Sequence, residues 1–235
     1  MISVILGLLT AMLVFAGDNC ASSQDGKDGA AIKVGYDYHY FSVRGYEIDR
    51  PMILIADPQR SKFYNPMTNW IDSLNSTPEG RAEYQASRPK VIKSGDIGKY
   101  PTRWEKMYVE KFRADGLVRS YDTVGDDRYY YDEPLSRMEW EIVDSVKPIL
   151  DYECMMARTD YHGRKWTVWF TPDIPVQDGP WKLEGLPGLI LEAGDSVGQY
   201  HFTATGIEAY PDEVPPVYEQ ELYERIEPVS YTHLR

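Results

Sequence analysis

Residues 166–195 read WTVWFTPDIPVQDGPWKLEGLPGLILEAGD, and this stretch carries the clearest signal of the fold. In its first part Trp166, Val168 and Phe170 occupy alternate positions, which is the side-chain period of a strand with one buried face. A proline-rich connection follows, and residues 189–191 are then continuously apolar, as in a buried strand. The stretch therefore predicts two strands of a sheet that are joined by a rigid loop.

The same two-residue period continues through most of the chain from residue 31 onward. The pairs Asp115-Gly116 and His162-Gly163 are typical of tight turns between antiparallel strands. No long helical pattern separates the predicted strands, which argues against a parallel α/β fold. We therefore predict a mainly β protein with a single antiparallel, curved sheet or half-open barrel. The predicted strands are residues 32–40, 46–56, 102–112, 117–124, 129–131, 151–159, 164–171, 189–191 and 199–205.

One segment, residues 65–87, departs from this pattern and predicts a short helical insertion. Thr77 is the expected N-cap of a helix, because its hydroxyl can accept a hydrogen bond from the first turn. Pro78 suits the first helical position, and Glu79 follows it. Gly80 weakens the helical preference at this point.

The two ends of the chain differ from the predicted β domain. Residues 1–16 are uncharged and apolar but shorter than the roughly 20 residues that span a bilayer, so they predict a cleaved signal peptide and no membrane span in the mature chain. Residues 17–30 are rich in Ser, Gly and Asp and predict a mobile leader. Residues 31–228 form the predicted β domain. Residues 229–235 resemble adaptor read-through and predict a non-native tail.

The chain has two cysteines with different surroundings. Cys20 lies in the leader, whereas Cys154 lies in a strand pattern and is expected to be a buried, small apolar residue. An exported protein permits a disulfide between them. The sequence leaves this pairing open.

Charge and motifs exclude several classes of function. The chain has 37 acidic and 25 basic residues and a formal net charge of −12, which repels phosphate backbones and excludes nucleic acid as an expected partner. His39, His162 and His201 are widely separated, and no His or Cys spacing typical of a metal site occurs. No Gly-x-Ser-x-Gly elbow or phosphate-binding loop is present. We therefore predict no metal, no cofactor and no assignable catalytic residue.

The proline-rich connection contains the candidate binding residues. Pro187 and Gly188 stand at the central positions of a predicted type II turn. A stiff loop holding Trp169, Asp178 and Trp181 would be pre-organised for a ligand, since it places aromatic rings beside a polar group. The alternative is that these residues lock the sheet edge and cap the core.

A second alternative for the same stretch is hydrolysis of a glycosidic bond. That reaction requires two carboxyl groups on either side of the bond. The stretch contains four acidic candidates, which are Asp173, Asp178, Glu184 and Glu192.

The stretch also resembles the GLPGLI family, through a hexapeptide that reads Gly185-Leu186-Pro187-Gly188-Leu189-Ile190. The resemblance covers about residues 129–207. Further blocks in family order are YDEPL at 131–135, WEI at 140–142, YEC at 152–154 and GRKWTVWFTP at 163–172. This resemblance implies an exported Bacteroidetes protein of unknown function, with no catalytic residues to carry over. Family members continue beyond Ile207, which implies a C-terminally truncated domain.

Together these observations predict an exported cell-envelope protein, periplasmic or associated with the outer membrane. We expect a non-catalytic binding or assembly factor whose partner is an envelope protein, peptide, glycan or lipid. The alternatives are an extracytoplasmic hydrolase that uses acidic residues near the motif, and a structural envelope protein.

Overall fold

A computed structural model of the protein describes residues 31–42, 44–96, 98, 100–135 and 138–227. The predicted signal peptide, leader and tail lie outside these residues, as does Cys20. The strands in this part of the chain are β1 (Ala31–Phe41), β2 (Glu47–Ala56), β3 (Arg60–Tyr64), β4 (Tyr108–Phe112), β5 (Leu117–Val124), β6 (Asp127–Pro134), β7 (Glu141–Ile149), β8 (Tyr152–Tyr161), β9 (Arg164–Thr171), β10 (Leu189–Asp195), β11 (Tyr200–Tyr210) and β12 (Glu224–Arg225).

All of these strands belong to one open, curved sheet with the order β12-β6-β5-β4-β3-β2-β1-β11-β10-β9-β8-β7. Chain neighbours within β1–β6 and within β7–β11 pair antiparallel, and only the two-residue β12 runs parallel to its sheet neighbour β6. In the middle of the sheet β1 pairs with β11, from Ala31 opposite Tyr210 to Tyr40 opposite Tyr200. The prediction of a mainly β protein with a single curved sheet is confirmed.

Two α-helices follow β3, namely α1 (Pro66–Asn75) and α2 (Pro78–Ser94). Thr77 is the N-cap of α2, as predicted, and its hydroxyl accepts from the amide of Gly80 at 3.1 Å. A Cβ on Gly80 would lie 2.3 Å from the carbonyl oxygen of Leu74, so the close approach of the two helices requires glycine there. The insertion therefore begins as predicted but extends seven residues beyond residue 87.

Strand β4 begins at Tyr108, six residues later than the strand predicted over 102–112. The reason is the length of its neighbour, because β3 has only five residues and ends opposite Tyr108 at Tyr64. The segment before β4 is held by side chains instead. Arg103 bonds to α1 and Glu105 accepts from the hydroxyl of Tyr40 on β1.

The sheet buries side chains on both faces. We call the first the loop face, because residues 172–188 between β9 and β10 cover it. Its core includes Val34, Leu54, Phe63, Val109, Val168 and Phe170 from the strands, with Leu183 and Leu186 from the loop. We call the opposite face the helix face. There Ile55, Tyr64, Tyr108 and Tyr121 pack with Val214, Val217 and Tyr223 of the C-terminal segment, residues 211–227.

Candidate functional site

The motif loop, residues 172–188, is fastened to the loop face by a buried ion-pair cluster. The Nζ of Lys111 on β4 lies 2.5 Å from Oδ1 of Asp178, and Arg113 pairs with the other carboxylate oxygen. Lys111 also donates to the carbonyl oxygens of Gly179 at 3.2 Å and Leu183 at 3.0 Å. Both Asp178 and the Lys111 ammonium are buried, so these contacts fix the path of the loop over the sheet.

The charge state of Asp178 follows from its partners. Complete burial alone would raise the pKa of this carboxyl, but the positive charges of Lys111 and Arg113 lower the pKa below its usual value. Asp178 is therefore ionised at neutral pH. It has two cationic partners inside the protein and no exposed surface for a ligand.

The turn in the motif differs from the predicted type II turn. A type II turn places its third residue in the left-handed region, whereas Gly188 lies outside that region and Gly185 has φ +87°. The amide of Gly188 instead donates to the carbonyl of Leu186 at 2.8 Å, which closes a three-residue turn at Pro187.

Gly188 has a different structural role, which is to allow contact with β9. A Cβ at this position would lie 2.1 Å from the backbone oxygen of Thr171. Leu186, Leu189 and Ile190 are then buried, so the motif enters the core as predicted. The hexapeptide therefore allows the motif loop to pack directly on the sheet.

An open cleft of about 1090 Å³ lies beside this loop. The β2–β3 turn and the β4–β5 turn form one side of it, and the motif loop with Leu135 and Met138 forms the other. Its apolar lining includes Pro58 and Val176, and its polar lining includes Asp57, Arg113, Gln177 and Glu184. We call this the motif cleft.

Glu184 is the unusual titratable group of the motif cleft. It is only 8% exposed, and burial raises the pKa of its carboxyl, while the nearby charge of Lys111 partly opposes that effect. Its backbone oxygen accepts from the indole of Trp140 at 2.9 Å. The carboxyl group makes no hydrogen bond to a described residue, which leaves it available to a molecule in the cleft.

The three predicted binding residues do not converge on one site. Trp181 is half-buried and packs on Trp166 with a ring-centre distance of 5.7 Å. Trp169 alternates with Trp166 along β9 and so points to the opposite face of the sheet, where Lys147 lies 4.5 Å from its ring centre. Asp178 belongs to the motif loop, but its side chain is buried against Lys111 and Arg113. Direct ligand contact by these three residues stays a prediction.

The four predicted acidic candidates are also separated. Asp173 is exposed at the start of the motif loop. Glu192 accepts from Lys147 through both carboxylate oxygens, at 2.8 and 2.7 Å. Since Asp178 is committed to its ion pairs, Glu184 is the one candidate that combines a raised pKa with a place in the cleft.

The histidines and the cysteine occupy separate positions. His39 bonds to Asp49 at 2.8 Å, His162 has φ +49° in a hairpin turn, and His201 lies on β11. Cys154 is completely buried, as predicted. No group of three His, Cys, Asp or Glu side chains suited to a metal ion occurs among the described residues.

Lys111 and Arg113 were not recognised from the sequence, although they determine the position of the loop. The available signal was the side-chain period of β4, because Lys111 shares a face with the apolar Val109. A lysine on an apolar face predicts a buried partner of opposite charge. The sequence does not indicate that this partner is Asp178, 67 residues later.

The match to known families is short. A model described as a protein of unknown function (Porph_ging) matches residues 158–192. These residues include β9, the whole motif loop and the first part of β10. No curated protein matches the chain.

The fold has a counterpart among solved structures. It is similar to PNGF-II in space group P21, with a TM-score of 0.55, 16% identity, and coverage of 87% of this chain and 33% of PNGF-II. PNGF-II in space group C2 gives a TM-score of 0.54, 16% identity, and coverage of 87% and 32%. The chain therefore spans about one third of the length of PNGF-II, and the likeness shows the fold alone.

A third structure is more distant. A domain described as an outer membrane lipoprotein-sorting protein from Vibrio parahaemolyticus has a TM-score of 0.27 and 6% identity, over 82% of this chain and 90% of that domain. A likeness at this level carries no argument. Within the described part of the chain, no helix combines the length and the apolar character needed to cross a membrane.

Proposed function

We propose that this chain is an exported cell-envelope protein of the GLPGLI type that binds a ligand in the motif cleft without transforming it. The observation that carries the proposal is the open cleft of about 1090 Å³ beside a loop fixed by buried ion pairs. The match to a family of unknown function supports the same location, because it coincides with β9 and the motif loop. The expected location is the periplasm, or association with the outer membrane.

The lining of the cleft supports a ligand of mixed polarity. Pro58 and Val176 provide apolar surface, while Gln177 and Glu184 provide hydrogen-bonding groups. A wall that is already rigid spends little conformational entropy on binding. A peptide segment of an envelope protein, a glycan or a lipid would satisfy these requirements. A cleft of this size is harder to reconcile with a purely structural protein.

Native mass spectrometry of the mature chain, purified from an envelope fraction, tests the proposal. We expect a retained ligand whose mass identifies its class. The variant Val176→Asp, which places a charge on the cleft wall, should lose that ligand. Val197→Asp is the matched control, because Val197 is 73% exposed in the turn between β10 and β11.

Two results would contradict ligand binding in the motif cleft. One is a wild-type chain that carries no additional mass. The other is equal ligand retention by Val176→Asp and Val197→Asp. Circular dichroism of both variants establishes that the sheet is intact, so that a loss of ligand is not a loss of fold.

One observation favours the hydrolase alternative enough to keep it. Glu184 has a raised pKa in an open cleft, and a protonated carboxyl is the form that acts as a general acid. Screening of glycan substrates would reveal turnover that Glu184→Gln abolishes and that Asp173→Asn, in the same loop, leaves intact. Equal turnover by both variants would exclude Glu184 as that acid.

A further inference from the structure

A second, smaller cleft lies on the helix face, away from the motif cleft. Its volume is about 150 Å³, and it is enclosed by α1, the segment before β4, the β5–β6 turn and Tyr223. Thr123, which lines it, alternates with Tyr121 along β5 and so shares the helix face. This cleft adjoins the β5–β6 turn, whereas the motif cleft adjoins the β4–β5 turn, so the two lie at opposite ends of β5.

The small cleft collects three positive charges from two separate elements. Arg103 and Lys106 come from the segment before β4, and Arg128 is the second residue of β6. The overall net charge of the chain is −12, so this convergence is opposite in sign to the protein as a whole. The chain as a whole therefore repels an anionic ligand at long range. Short-range hydrogen bonds from these cationic side chains to the anion can outweigh that repulsion.

Asp72, a carboxylate of the cleft wall, accepts a hydrogen bond at each of its two oxygens. The Nε of Arg103 donates to Oδ1 of Asp72 at 2.6 Å, and the hydroxyl of Tyr108 donates to Oδ2 at 2.5 Å. Asp72 is buried. It therefore holds Arg103 in place without satisfying the remaining N–H groups of that guanidinium.

Arg128 is held in a comparable way. Its Nη1 donates to Oε2 of Glu219 at 3.0 Å, and the other oxygen of Glu219 lies 3.6 Å from Arg81. A guanidinium has five N–H donors. The other donors of Arg103 and Arg128 make no hydrogen bond to a described residue, and the exposed Lys106 makes no ion pair with one. The cleft is thus rich in donors and poor in free acceptors.

A buried hydroxyl at the same cleft also lacks an acceptor. Thr68 in the first turn of α1 is 1% exposed, and its Oγ1 has no hydrogen-bond partner among the described residues. An unsatisfied buried hydroxyl is costly. The one carboxylate of the lining that remains, Asp126, is exposed in the β5–β6 turn.

We propose that this small cleft binds a single oxyanion group, the phosphate or carboxylate of a small molecule, between Arg103, Lys106 and Arg128. Planar guanidinium groups match the oxygen pairs of both anions. The volume of about 150 Å³ is sufficient for one such group. This site is independent of the ligand proposed for the motif cleft.

Titration calorimetry with inorganic phosphate and with acetate tests the site, using chloride to keep the ionic strength constant. We expect saturable binding of at least one of the two anions. Lys106→Gln should weaken binding roughly 3- to 10-fold, as expected for the loss of one charge-assisted hydrogen bond. Lys165→Gln is the matched control, since this lysine is 77% exposed on β9, and it should leave the affinity unchanged.

The outcomes separate the two ligand chemistries. Binding of phosphate alone assigns a tetrahedral anion, binding of acetate alone assigns a carboxylate group, and binding of both assigns an oxyanion site that does not discriminate between them. The site is disproved if neither anion binds beyond chloride, or if Lys106→Gln and Lys165→Gln lose affinity equally. Both lysines are exposed, so neither variant is expected to unfold the chain. Val176→Asp, at the motif cleft, should bind the anion normally.

Discussion

Lys62 and Lys111 lie on the neighbouring strands β3 and β4, are both buried, and are nevertheless stabilised in different ways. Lys111 faces the motif loop and pairs with the carboxylate of Asp178. Lys62 faces the opposite side of the sheet and has no ion pair with a described residue. Its ammonium donates to Oδ1 of Asn69 and to the carbonyl of Pro216, each at 2.7 Å.

The groups in direct contact with the Lys62 ammonium are aromatic rings and neutral oxygens. Its Nζ lies 4.7, 5.1 and 5.5 Å from the ring centres of Tyr64, Tyr108 and Tyr218. Burial lowers the pKa of Lys62 to about 7, and the charges of Glu110 and, more weakly, Asp72 only partly offset that effect.

Each lysine thus fastens one of the two segments that cover the sheet. Lys111 holds the motif loop through opposite charge, and Lys62 holds the C-terminal segment through hydrogen bonds to neutral oxygens. The comparison teaches that burial of a lysine does not define its role. The partners of the lysine decide whether its removal leaves a second buried charge with one ion pair fewer.

Substitution of Lys111 by methionine should have the largest effect. The variant leaves Asp178 buried with Arg113 as its one remaining cationic partner. Breaking a buried ion pair on one side typically costs about 3–5 kcal/mol of the free energy of unfolding. Equilibrium denaturation measures this loss, and Lys165→Met, at an exposed position, should change stability by less than about 0.5 kcal/mol. Similar values for the two variants would refute the role of Lys111 as an anchor.

A change in the motif loop that involves no charge tests the same anchoring. Gly188→Ala places a methyl group against the backbone oxygen of Thr171, which cannot move aside as a flexible side chain can. We expect a loss of about 3 kcal/mol in the free energy of unfolding. Gly206→Ala is the control, because a Cβ there meets no atom within 4 Å. If Gly188→Ala were as stable as Gly206→Ala, the close contact between loop and β9 would be wrong.

The pH dependence of the free energy of unfolding should distinguish the contribution of Lys62 from that of Lys111. The folded-state pKa of Lys62, about 7, lies below the ordinary value of 10.5, so the unfolded chain binds more protons between these values. Stability should therefore rise with pH, by about 2 kcal/mol between pH 7 and 8.5, and Lys62→Met should remove this slope. At pH 6 the same variant should be no less stable than the wild type. A wild-type slope that persists in Lys62→Met would have to come from other groups.

Tyrosines and Cys154 limit the useful pH range for this comparison. Burial raises the pKa of Cys154 from 9.0 to about 11, and it also raises the pKa of Tyr64 and Tyr108. These groups favour the folded state less as pH rises above their ordinary values. The measurement therefore stays below pH 8.5, where the lysine dominates.

The fold was largely predictable because most of the strand pairing here is local. Strands Leu117–Val124 and Arg164–Thr171 have the predicted bounds, and the N-cap at Thr77 is confirmed. In each case the information lies within a few residues, as an alternating pattern, a turn or a cap.

The candidate site was less predictable because its contacts join distant parts of the chain. The pairing of Lys111 with Asp178 requires knowledge of which loop crosses which strand. The prediction of a type II turn at Pro187 was wrong for a related reason. Contact with Thr171, rather than local turn preference, sets the conformation of Gly188. Glu184 was among the acidic candidates, but its burial depends on the same loop.

The pairing of β1 with β11 at the centre of the sheet has a consequence for the order of folding. Strands β1–β6 form one series of hairpins and β7–β11 another, and β1 with β11 is the pairing that joins them. Bringing residues 31 and 210 together costs more chain entropy than forming a hairpin, so this pairing is expected to form more slowly. During synthesis, β1 must therefore keep one edge without its β11 partner until residues 200–210 have been made.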